Sequence, residues 1–81
     1  MKKQKLPKWY NGHIYKNGAE VKNNFSGEKY YLNNVELTMY DYIKGSEYLM
    51  STFTDKEYDQ FYEGLDWFKK NNAKAYMVLL D

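Results

Sequence analysis

Thr54-Asp55-Lys56-Glu57-Tyr58-Asp59-Gln60-Phe61-Tyr62-Glu63-Gly64-Leu65-Asp66-Trp67-Phe68-Lys69-Lys70 decides the helical half of this chain. Its opening, Thr54 to Glu57, has the S/T-x-x-E form of a capping box. There the hydroxyl takes the Glu N–H and the carboxylate takes the Thr N–H. Behind the box, Tyr58, Phe61, Tyr62, Leu65 and Phe68 recur at helical spacing and predict a buried stripe. Lys69 and Lys70 fall in the last turn, where cations suit the helix dipole, and Asn71-Asn72 ends the run. The spacing predicts a helix over about residues 55–70 with one side to cover.

The other side of that helix is acidic. Asp55, Asp59, Glu63 and Asp66 share a face, and the Asp59/Glu63 pair at i,i+4 repels by a few tenths of a kcal/mol, roughly. Lys70 relieves only Asp66. Trp67 stands beside this face, nearly opposite Tyr58. An exposed Trp is the commonest anchor of a protein interface, so Trp67, Glu63, Asp59 and Asp66 are candidate partner-binding residues. A solvated helix face, with Trp67 covered by residues 76–80, is the plain structural alternative.

Outward from this helix the pattern divides. Upstream, Thr38-Met39-Tyr40-Asp41 resembles a capping box with Asp in the last place and predicts a helix from about Thr38 to Met50. Gly45 weakens its middle, which predicts a close packing contact there. Downstream, residues 73–80 lean helical, with a buried strand as the alternative. Residues 8–37 carry short runs of Trp, Tyr, Ile and Val broken by Asn11-Gly12 and Asn17-Gly18, the dipeptide that favours type I′ hairpin turns. Asn17-Gly18 is read as joining His13–Lys16 to Ala19–Lys22. Ser26-Gly27 makes a further turn before Lys29–Leu32. The expected fold is α+β: an antiparallel meander of three to four strands on two helices, with a short C-terminal element. Residues 1–7 are expected to be a flexible basic arm and 8–81 a single domain, with the meander at 8–37 and the helical part at 38–81.

Composition bounds the function. The chain has 81 residues, 43% hydrophobic and 28% charged, enough for one core. No apolar run approaches the roughly 18 residues a membrane span needs, and the basic start lacks the apolar stretch of a signal peptide. With no cysteine, disulfides, thiol nucleophiles and zinc–thiolate sites are excluded, and a cytoplasmic setting is expected. All 12 basic residues are lysines, so the bidentate guanidinium contacts that read phosphate or guanine are missing. The net charge is +1, but residues 1–30 hold seven lysines against two acidic residues, a balance of +5, and residues 31–81 balance at −4. Such asymmetry favours partner contacts.

Catalytic chemistry finds no foothold in the sequence. His13 is the one histidine, no Ser, Thr or Lys lies in a nucleophile context, and Asn24–Lys29 lacks the phosphate-loop frame. The expectation is a protein that is not an enzyme and carries no metal and no cofactor. Trp9, Tyr10, Tyr15 and Lys16 interleave aromatic faces with cations, which suits stacking on a nucleotide or single-stranded nucleic acid. Of these two the nucleotide is favoured, held in a homo-oligomer, because a chain this small gains stability by self-association.

Three runs of the C-terminal half add a resemblance. Val35-Glu36-Leu37-Thr38 leading into Tyr40-Asp41-Tyr42-Ile43-Lys44-Gly45-Ser46-Glu47, then Gly64-Leu65-Asp66-Trp67-Phe68, then Tyr76-Met77-Val78-Leu79-Leu80-Asp81, are similar in wording to small proteins of tailed bacteriophages. The likeness covers about the last 50 residues and carries no catalytic motif. It implies a viral origin, the host cytoplasm, and action by binding and disabling a host protein. The leading expectation is therefore a non-catalytic inhibitor or modulator of a host protein. A sequestering oligomer for a nucleotide defence signal comes second, and single-stranded nucleic-acid binding third.

Overall fold

The computed structural model describes residues 4–80. Two strands, β1 (Ala19–Lys22) and β2 (Lys29–Leu32), precede three helices, α1 (Asn34–Leu49), α2 (Asp55–Asn71) and α3 (Ala73–Leu79). A 3-10 turn at Met50–Thr52 links α1 to α2. The chain is thus α+β. Among the described residues the sheet has two antiparallel strands, with Ala19 opposite Leu32, Glu20 opposite Tyr31, Val21 opposite Tyr30 and Lys22 opposite Lys29. The expected three- to four-stranded meander is therefore not formed there.

The difference starts at residues 13–16, which are not a strand. The Tyr15 N–H donates to Thr38 Oγ1 at 3.1 Å, and Asn34 Nδ2 donates to the Tyr15 carbonyl at 3.1 Å. Side chains of α1 satisfy the backbone groups that a neighbouring strand would otherwise take. Asn17-Gly18 is not a hairpin turn either. Gly18 lies so close to β2 that a Cβ would run into the Leu32 carbonyl and the Tyr31 ring. The hairpin turns instead at residues 23–28, where Gly27 takes φ +79° and Asn23 Oδ1 accepts from the Phe25 and Ser26 N–H groups.

Helix α1 starts four residues before the expected Thr38. Asn33 is its N-cap, in a reciprocal box with Glu36: the Glu36 N–H donates to Asn33 Oδ1 at 2.8 Å and the Asn33 N–H to Glu36 Oε1 at 3.0 Å. Thr38 is buried mid-helix, its hydroxyl donating to the Asn34 carbonyl at 2.7 Å. Helix α2 begins as the sequence predicts, with Thr54 and Glu57 in a second reciprocal box, and Asn72 caps it. Asn72 also starts α3, so residues 73–79 are helix rather than strand. Gly45 meets nothing that a Cβ would touch. The close helix contact is at Gly64, where a Cβ would sit 3.1 Å from Met39 Sδ and 3.4 Å from the Tyr42 ring.

Leu32, Met39, Ile43, Phe61, Phe68, Ala75 and Leu79 form the core, drawn from β2 and all three helices. Helix α1 packs on α2, α2 on α3, and β2 against α3 and α1. Residues 1–3 of the expected arm lie outside the described residues. Residues 4–7 are docked rather than free: Leu6 packs on the core and Gln4 Nε2 donates to Glu36 Oε2 at 2.9 Å. The arm is held because Glu36, buried at the start of α1, needs donors that no lysine among the described residues supplies.

Candidate functional site

Helix α2 points Phe61, Gly64 and Phe68 inward, which fixes the direction of everything else on it. Asp55, Asp59, Glu63 and Asp66 are exposed together on the far side, within an arc of about 80°. Tyr62 joins them. It was expected in the buried stripe, but it is 59% exposed because at helical spacing it falls about 100° from Phe61, next to Asp55 and Asp66. Lys70 Nζ holds Asp66 Oδ2 at 2.9 Å; among the described residues no cation lies within 4 Å of Asp55, Asp59 or Glu63.

The electrostatics of this face are set at its N-terminal end. The Thr54 N–H donates to Glu57 Oε1 at 2.9 Å and holds the Glu57 carboxyl below its ordinary value. Asp55 and Glu57 also sit in the first turn, where the helix dipole favours anions. That accounts for the acidic residues of the first turn. Asp59 and Glu63 lie beyond its reach and repel each other, and Lys56, three residues before Asp59, makes no ion pair with it.

Trp67 lies at the border of this face, half-buried. Its Nε1–H donates to the Lys5 carbonyl at 2.7 Å, so the segment before the sheet reaches it. The remaining sequence candidates are elsewhere. Trp9 tilts on Tyr42 with ring centroids 5.2 Å apart, and Tyr10 meets the same ring edge-on at 5.9 Å. The Tyr10 hydroxyl donates to the His13 carbonyl at 2.6 Å and the Tyr15 hydroxyl to Asp41 Oδ2 at 2.9 Å. Burial raises the Tyr10 and Tyr42 hydroxyls above their ordinary pKa, and the bond to Asp41 raises Tyr15. Trp9, Tyr10 and Tyr15 are thus engaged with α1 rather than stacked as open platforms, and Lys16 stands exposed beside them. They do not join the α2 residues in one site.

Two features escaped the sequence reading. Phe25 is wholly exposed at the tip of the hairpin turn, beside a cleft of about 210 Å³ that includes Lys22, Tyr40, Lys44 and Leu79. Nothing in a lone Phe among turn residues distinguishes it. Glu36, 6% exposed, accepts from Gln4 Nε2, the Asn33 N–H and, at 3.1 Å, Asn72 Nδ2. Asn33-x-x-Glu36 was a capping signal open to reading. No group of three His, Asp or Glu side chains among the described residues is placed to hold a metal ion, and none of their helices is long and apolar enough to cross a membrane. No protein-family model matches the chain, and neither the curated proteins nor the solved structures contain a significant match.

Proposed function

We propose that this protein is a non-catalytic binding module that modulates a basic partner protein through the outer face of α2. The observation that supports the reading is Tyr62, 59% exposed among Asp55, Asp59, Glu63 and Asp66. A large amphipathic ring in water, ringed by carboxylates of which one alone has a lysine among the described residues, fits the anatomy of an interface anchor with a charged rim. The carboxylates steer and orient a basic surface, and Tyr62 supplies the area buried on contact. Trp67 belongs to the border of this face and adds to it only if residues 4–7 move aside. A phage origin, taken with the resemblance of the C-terminal half, makes a bacterial host protein the partner. A nucleotide ligand and single-stranded nucleic acid are the weaker readings, since Trp9, Tyr10 and Tyr15 already have partners in α1.

The test is capture from bacterial cytosol on immobilised protein, comparing the native chain with Tyr62→Ala and with Asp59→Asn/Glu63→Gln. The expected result is one protein retained by the native chain, eluted by salt, and lost from both variants. Equal retention by all three, or no retained protein, contradicts the reading.

A further inference from the structure

Strand β1 pairs on one side with β2 and is an edge on the other. The Asn23 N–H donates to the Glu28 carbonyl at 2.8 Å across the hairpin, which makes Asn23–Glu28 a hydrogen-bonded pair. In an antiparallel ladder such pairs alternate, so Val21–Tyr30 and Ala19–Leu32 are hydrogen-bonded while Glu20–Tyr31 and Lys22–Lys29 are not. The backbone N–H and C=O of Glu20 and Lys22 therefore point away from β2, along the free edge. Among the described residues these groups have no hydrogen-bond partner, and both side chains are exposed. Lys22 also faces Lys29 directly, in the closer kind of cross-strand pair, and among the described residues no carboxylate lies within 4 Å of either. An open edge of this kind is a template for another strand.

We propose that β1 pairs antiparallel with β1 of a second copy of this chain, about a two-fold axis that passes between the two Val21 residues. Glu20 and Lys22 flank Val21 symmetrically, so this register sets each Glu20 opposite Lys22 of the second copy. They are also the residues whose N–H and C=O groups face outward, so they make the ladder bonds. A one-residue slip sets inward-facing Val21 opposite an outward-facing residue, which the pleat forbids. Two-fold registers centred on Glu20 or on Lys22 set like charges against each other. In the chosen register Lys22 gains a carboxylate on the side away from Lys29, which relieves the repulsion within the hairpin. The product is a four-stranded sheet, where an isolated two-stranded hairpin is marginal. The hairpin packs on α3 and α1, which leaves the outer face of α2 free in the dimer.

Sedimentation over a dilution series in low salt tests this. The native chain is expected to show a monomer–dimer equilibrium. Glu20→Lys and Lys22→Glu should each raise the dissociation constant by about tenfold or more, since each sets two like-charged pairs face to face. The double variant Glu20→Lys/Lys22→Glu should dimerise again, and the two single variants should pair when mixed. That rescue separates lost pairing from lost folding. A native chain that stays monomeric at every concentration overturns the proposal, as do single variants that dimerise like the native chain or a failure of the double variant and the mixture to restore pairing.

Discussion

Glu36 shows what a single residue does here. It is a buried carboxylate with no lysine against it among the described residues, satisfied by N–H groups from Gln4, Asn33 and Asn72, so one side chain fastens the chain start, the cap of α1 and the junction of α2 with α3. Glu36→Ala strands those donors and is predicted to cost about 2–3 kcal/mol in urea unfolding. The glycines give an opposite pair. Gly45 is exposed mid-helix with open space around it, and Gly45→Ala should stabilise by about 0.5–1 kcal/mol. Gly64→Ala should give no such gain, because its Cβ meets Met39 Sδ and the Tyr42 ring. Equal thermal shifts for the two would contradict this packing. At this scale the sequence misled where chemistry has two uses. Thr38 reads as a cap, yet its hydroxyl bonds back to Asn34 inside α1. Gly18 reads as a turn, yet it permits close approach to Leu32.

Helix α2 was legible because its signals are local. Thr54 and Glu57 cap it, the apolar period runs through its core side, and Asn72 stops it. The Thr54 cap is predicted to be worth about 1 kcal/mol, read as the loss in urea midpoint stability on Thr54→Ala. Glu57 adds a pH dependence of known sign. Its folded pKa lies below the ordinary value of 4.5, so its contribution is full above the ordinary carboxyl range and lost as pH falls through the folded pKa. Glu57→Gln should flatten the acid limb of the stability profile in that window and leave the neutral region alike in slope. The hairpin was less legible, because residues 13–16 have strand composition but find their partners on α1, 19 and 23 residues on, which no local pattern reports. The shared face of Asp55, Asp59, Glu63 and Asp66 follows from spacing alone, while Tyr62 leaves the buried stripe because residues at i+3 and i+4 lie about 100° apart on the helix.

For the whole molecule, the core unites β2 with all three helices, and the segment at residues 4–7 closes it over Trp67. Truncation of residues 1–7 is predicted to lower the unfolding midpoint and shift Trp67 emission to the red, as its indole N–H loses the Lys5 carbonyl. Unchanged emission and midpoint would show that the segment contributes nothing. The carboxylates gather on the outer face of α2, while the hairpin is balanced, with Glu20 and Glu28 against Lys22 and Lys29. The central claim is that this acidic face is occupied when the protein works. Carboxyl footprinting of the intact chain in bacterial cytosol and in buffer tests it most directly. The account predicts that Asp59 and Glu63 are protected in cytosol and that the protection vanishes in Tyr62→Ala. Equal labelling of both residues in the two media would contradict it.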